Sequence, residues 1–157
     1  MKMNKKIVIF GLVTVAMVLA GVFVSATLMS SKDFDDVKES LEMKISTDKT
    51  SYSIGEEVLI SMELINHGTE NISLTFSSGK TSDFEVLNEQ GEQVCLWSND
   101  KAFIAVLRTI TIHPGEVLSY NMTWDQKDNN GNSVPAGTYI IIGYISEYSD
   151  TVSIQIQ

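Results

Sequence analysis

One cysteine, two prolines and two histidines are all that this 157-residue chain contains of those types. A lone thiol, Cys95, makes no internal disulfide, so apolar burial has to hold the fold together. Cys95 lies in the apolar run Val94-Cys95-Leu96-Trp97 and reads as a small buried hydrophobe, with intermolecular pairing the secondary reading. The two histidines, His67 and His113, both sit beside turn residues and supply no nucleophile–base–orienter set. There is no Gly-x-Ser-x-Gly elbow, phosphate-cradling loop or paired-cysteine motif. The chain is therefore read as not an enzyme, with no cofactor.

Positive charge is also scarce, with 11 basic against 20 acidic residues. Lys2, Lys5 and Lys6 fall before Met29 and every acidic residue falls after it, which leaves a net −12 beyond that point. Nucleic acid and anionic lipid both need a basic face, so neither is expected as a partner. The acidity reads as solubility.

The first 29 residues are a different material. An uncharged apolar run extends from Ile7 to Met29, and as a helix Ile7–Leu28 would measure ~33 Å, enough to cross a bilayer core. The preceding lysines place the N-terminus in the cytoplasm and the remainder outside. Two readings remain open. One is an uncleaved single-pass anchor, favoured by the length of the run. The other is a signal peptide cut near Ala26, at Val24-Ser25-Ala26, which would release a secreted protein. Residues 30–40 follow as an acidic linker and residues 41–157 as one β-domain.

A period-two pattern begins after the linker. Strands are expected at Leu41–Ser46, Glu57–Ile65, Ile72–Phe76, Phe84–Asn88, Gln93–Trp97, Ile104–Ile112, Val117–Trp124, Thr138–Ile145 and Thr151–Ile156. Nine short strands without an intervening helix read as an all-β sandwich. Ser53-Ile54-Gly55-Glu56 and His113-Pro114-Gly115-Glu116 place Gly where a type II turn needs positive φ. Asn88–Glu92 reads as a longer hairpin loop with Gly91 left-handed. Thr138–Ile145 is apolar at successive positions, the composition of a central strand covered on both faces, with Gly143 marking a bulge or a close approach.

Other features carry less chemistry. Asp125 and Asp128, in a loop with Asn129, Asn130, Gly131 and Asn132, offer oxygen ligands but no closing Glu. A polar loop whose asparagines take left-handed angles is the better reading, and no metal site is assigned. Asn71-Ile72-Ser73 and Asn121-Met122-Thr123 match the glycosylation sequon but lie near or within strands. The aromatics are read as core, except Trp97 and Phe103, which border a loop.

One set of landmarks resembles a known family. Leu74-Thr75-Phe76-Ser77-Ser78-Gly79-Lys80, Asp83-Phe84, Gly91, Val94, Trp97-Ser98, Lys101, Phe103, Pro114-Gly115-Glu116, Trp124, Val134-Pro135, Gly137 and Tyr139 occur in the order of the BsuPI-type intracellular proteinase inhibitor domain. The resemblance covers about Tyr52 to Tyr148. It implies an immunoglobulin-like antiparallel β-sandwich that inhibits a serine proteinase. Three departures stand out: the leader, Ser82 where the family often has an aromatic, and Cys95 where a bulkier residue is usual.

Two functions are carried forward. The first is a serine proteinase inhibitor displayed outside the cytoplasm that inserts a loop into the protease cleft. Its expected contact surface is Ser77–Thr81 with Ser98–Lys101, and the partner-binding residues are Ser78, Gly79, Lys80, Asn99, Asp100 and Lys101, with Lys80 a candidate for a specificity pocket. The second is a non-inhibitory interaction or accessory module that binds another envelope protein or a polymer through one sheet face.

Overall fold

The computed structural model describes residues 40–157; the leader and residues 30–39 of the linker lie outside them. Among the described residues no helix is long and apolar enough to cross a membrane. Ten strands are present among them: β1 Leu41–Thr47, β2 Ser51–Tyr52, β3 Val58–Asn66, β4 Ile72–Phe76, β5 Ser82–Leu87, β6 Gln93–Leu96, β7 Arg108–Ile112, β8 Val117–Trp124, β9 Gly137–Ile145 and β10 Tyr148–Ile156. One sheet runs β2-β10-β9-β5-β6, another β1-β3-β8, and β4 pairs with β7. This is an all-β, immunoglobulin-like sandwich.

The β4–β7 pair continues the β3–β8 ladder. The last pair of β3 and β8 is Ile65↔Val117, and Ile72↔Ile112 opens the next ladder in the same antiparallel sense. Asn66 spans the break and is fully buried. Its side-chain amide donates to the carbonyls of Glu70 (2.9 Å) and Ile112 (3.0 Å), and its Oδ1 accepts from the Gly68 amide at 2.9 Å. A buried amide so fully bonded costs little, whereas removing its partners would strand several polar groups.

Alternation places the core. In β3, Val58, Ile60, Met62 and Leu64 face inward and are buried, while the residues between them face out. Opposite them stand Tyr139, Ile141 and Ile145 of β9 and Ile154 and Ile156 of β10. Gly143 lies in the same inward row. A Cβ there would stand 2.6 Å from Met62 Sδ and 2.9 Å from Ile45 Cδ1, so glycine permits the sheets to close. The register runs through Gly143 without a bulge. Across the sandwich, Asp150 Oδ2 accepts from the Ile45 amide at 3.0 Å and ties β10 to β1.

Both turn expectations hold. Gly55 and Gly115 have φ of 80° and 75°, and Glu56 and Glu116 donate their amides to Ser53 and His113 carbonyls. The chemistry repeats one step further, because each glutamate carboxylate also accepts from the amide that opens its turn, Ser53 at 2.9 Å and His113 at 2.7 Å. Gly91 is left-handed at φ 77°.

Four expectations need correction. The strand expected from Ile104 starts at Arg108, because β4 ends at Phe76, opposite Arg108, and no strand is left to pair with residues 104–107. Strand β2 is too short for a periodicity to show, and exists because β10 offers it a parallel edge. β10 starts at Tyr148, three residues early, since the β9–β10 hairpin needs only Ser146 (φ 56°) and Glu147 as its loop. Finally, β9 is central in its sheet but covered on one face: Ile140 is exposed and Ile142 and Tyr144 are half-buried.

Candidate functional site

Three connections gather at one end of the sandwich: residues 77–81 between β4 and β5, 97–107 between β6 and β7, and 146–147 between β9 and β10. Pairing of Ser82 with Ile145 brings the first beside the third. A cavity of about 350 Å³ between them is lined by Phe76, Lys80, Asp83, Glu85, Tyr144 and Ser146, among others. The Gly79 amide donates to the Ile104 carbonyl at 2.9 Å, which brings the first beside the second.

The centre of this end is Asp83, buried on β5. Its Oδ2 accepts from Lys80 Nζ at 2.9 Å and Ser98 Oγ at 2.6 Å, and its Oδ1 accepts from the Phe84 amide at 2.9 Å. A carboxylate removed from water has to be paired and bonded, and these three groups do so. Sequence reasoning missed Asp83 as an organiser; the signal that could have found it was the place of Asp83-Phe84 among the family landmarks. Above it, the Tyr144 hydroxyl donates to Glu85, and burial first, then this bond to a carboxylate, pushes the phenol up to about 12.

The expected partner-binding residues divide into two groups. Ser78, Gly79 and Lys80 lie together, with the Lys80 amide donating to Ser78 Oγ at 3.2 Å. Lys80 is clamped by Asp83 and stands 3.4 Å from Ser98 Oγ, so its ammonium is the counter-ion of a buried carboxylate. Asn99, Asp100 and Lys101 form a compact pair of turns, in which Asn99 donates to the Leu96 carbonyl (3.0 Å) and Lys101 to that of Ser98 (3.1 Å). Lys101 Nζ lies 4.5 Å from the centre of the Trp97 ring, a cation–π contact, and donates to the Trp97 carbonyl at 2.7 Å. It also bonds Asp100 Oδ1 at 3.1 Å, and it is this partner that holds the Asp100 carboxyl below its usual range. These three residues border a second cavity of about 500 Å³ that also includes Cys95, Trp97 and Trp124. Burial, reinforced by nearby Asp125, pushes the thiol of half-buried Cys95 up to about 11, which favours the protonated form at neutral pH.

Beyond Lys101 the chain reads Ala102-Phe103-Ile104-Ala105-Val106-Leu107, six apolar residues in succession, of which all but Phe103 are exposed. Ile104 and Leu107 are 75% and 76% exposed, the largest values among the exposed large apolar residues. Phe103 turns back to Trp97, ring centres 6.1 Å apart, and anchors the base of the segment. Among the described residues, the only backbone hydrogen bond made by residues 102–107 outside the strand ladders is the one from Gly79 to Ile104. The sequence signal for this segment was its apolar run, read as strand.

The remaining sequence candidates lie elsewhere. His67 Nε2 is 2.6 Å from Glu42 Oε2, and His113 Nδ1 is 2.9 Å from Asn71 Oδ1, both in exposed turns. In the polar loop, Asp128 turns inward and accepts from the amides of Asn130 and Asn132, each at 2.8 Å. Its asparagines do not take left-handed angles; Gly131 does, at φ 83°.

A rigid sandwich that presents a cluster of end loops defines a class of binding domain. Within that class, the chain matches the family described as intracellular proteinase inhibitor, BsuPI, over residues 45–148, and it belongs to that family. No curated protein matches it. Among solved structures it is similar to a β-glucosidase, EmGH1, from Erythrobacter marinus, at 13% identity and a TM-score of 0.48 over 75% of this chain and 15% of that one. It is also similar to the Pseudomonas fluorescens alkylpurine DNA glycosylase AlkC, at 10% identity and a TM-score of 0.49 over 75% and 30%. A third is the CARDB domain of the Pyrococcus furiosus protein PF1109, at 12% identity and a TM-score of 0.44 over 74% and 87%. The chain spans less than a third of the first two, and none of the three bears on its function.

Proposed function

We propose that this chain is a serine proteinase inhibitor that acts outside the cytoplasm, tethered through residues 7–29, by placing the loops of one sandwich end into a protease cleft. The observation that carries the reading is the projecting segment 102–107 in a member of a proteinase inhibitor family. Runs of exposed apolar residues are errors of design unless a partner covers them. The loops beside it are held by Asp83, Gly79 and Trp97, so little ordering is left to be done on binding. An inhibitor contact needs about 800 Å² per partner, within reach of two or three adjacent loops.

The second function, an envelope-protein module that binds through a sheet face, is less well supported. Exposed apolar residues on the sheets, such as Leu59, Val117 and Ile140, are scattered and less exposed than Ile104 and Leu107 of the loop.

The direct assay titrates residues 30–157 into chymotrypsin-type, subtilisin-type and trypsin-type enzymes. Stoichiometric loss of activity at nanomolar to micromolar inhibitor is expected; full activity of all three at micromolar inhibitor would sink the reading. Location is read from a C-terminal tag in intact cells, which externally added protease should remove.

A further inference from the structure

Specificity in serine proteases is set by the chemistry of the primary pocket: acidic for a basic side chain, apolar for a bulky hydrophobic one. The cations near the site are Lys80, Lys101 and Arg108. Lys80 neutralises buried Asp83, and moving it into a protease would strand that carboxylate. Lys101 is folded onto Trp97. Arg108 is exposed, but its backbone lies in the ladder opposite Phe76. What remains unpaired and projecting is aliphatic.

Resting on the inhibitory reading, we propose that residues 102–107 are the segment that determines specificity and that the protease they fit has an apolar primary pocket, filled by Leu107. Ile104 occupies a neighbouring subsite. Two properties separate these residues. Ile104 is tied to Gly79 through its carbonyl, and a Cβ on Gly79 would touch its Cγ1 at 3.4 Å. Isoleucine is also branched at Cβ and stiff at χ1, whereas leucine is slim at that position and enters a narrow slot more readily. Leu107 immediately precedes the rigid β4–β7 ladder, so it is held at one end while its side chain is free. The backbone groups of residues 102, 103, 105 and 106 make no backbone hydrogen bond outside the strand ladders, and they are the donors and acceptors that an extended peptide uses to add to a partner's strand.

The test uses the full-length chain in mild detergent, with chymotrypsin, subtilisin and trypsin as probes. The inhibition constant is expected to be at least 100-fold lower for one of the apolar-pocket enzymes than for trypsin. Leu107→Asp should raise it about 100-fold or more and Ile104→Asp about tenfold, as truncation of anchor residues does at other interfaces. Leu107→Lys should strengthen trypsin inhibition at least tenfold. Arg108→Ala should change nothing. Each variant alters an exposed side chain, and an unchanged melting temperature shows that the fold is kept.

Inhibition that persists in Leu107→Asp and Ile104→Asp overturns the assignment of this segment and leaves the inhibitory function standing. Stronger inhibition of trypsin, abolished by Arg108→Ala, overturns the apolar pocket in the same way. A shift in oligomeric state with the inhibition constant unmoved gives the segment to self-association and likewise overturns it. If none of the enzymes is inhibited, the inhibitory function itself fails.

Discussion

Between β6 and β7 eleven residues run without regular structure, and between β8 and β9 twelve do. The second of these connections is polar and closed on itself. Asp128 accepts two amides of its own loop, Asn129 donates to Val94 and accepts from Leu96, and Lys127 bridges to Ser133. Beneath it, Trp124 Nε1 donates to the Lys127 carbonyl at 2.9 Å and the Tyr139 hydroxyl to that of Pro135 at 2.9 Å. The first connection is closed at its base and held once more at Ile104 by the Gly79 amide, and its remaining side chains are apolar and exposed. A loop whose polar groups are satisfied by its own chain belongs to the fold. One that leaves apolar surface exposed, on a domain with a well-filled core, is built for something outside the chain.

The sharpest way to break this contrast is Trp124→Ala, which removes the floor of the polar loop and its edge-on contact with Tyr139 at 5.6 Å. Loss of about 3–5 kcal/mol in urea unfolding is expected, as for other buried aromatics. Gly143→Ala tests the core that both connections leave; the methyl would collide with Met62, and overpacking of this kind costs about 1–3 kcal/mol. Asn129→Ala removes the side-chain bond from the Leu96 amide of β6, keeps the backbone bond to Val94, and should lower stability by about 1 kcal/mol, the worth of an ordinary hydrogen bond.

A smaller effect comes from acid. The Asn132 side-chain amide first, then loop backbone amides, hold the Asp128 carboxyl below its usual range. A depressed acid contributes stability above its unfolded pKa, here 3.8, and loses it as pH falls through the lower folded value. Protection of the amides of residues 128–132, measured against their intrinsic exchange rate, should therefore fall below pH 4, and Asp128→Asn should flatten that dependence. The smallest change is expected from Leu107→Ser: within about 0.5 kcal/mol of the parent in urea, as for a surface position. A loss above 1 kcal/mol would mean that the segment is part of the fold after all.

Legibility followed the range of the interaction. Gly55, Gly91 and Gly115 were readable because a turn's φ requirement is local, and β3, β4 and β8 because alternation imprints a half-buried sheet on a single stretch of sequence. Residues 104–107 were misread as strand because β-branched and aliphatic residues look the same whether or not a neighbour is present. Ile140 and Ile142 were read as covered for the same reason. At the site, Ser78–Lys80 and Ser98 were placed in neighbouring loops by their position around strands, and the structure brings them together. The role of Lys80 was hidden, since it depends on Asp83 being buried.

The all-β class, the positions of most strands and the family could be read from the chain in order, because periodicity, turn chemistry and landmark residues are local to it. Which strands found partners, the burial of Asn66 and Asp83 as hubs, and the exposure of the apolar residues before Arg108 emerge in the folded molecule. Those outcomes depend on which distant segments fill the space around each residue, and burial is settled by the assembled neighbours.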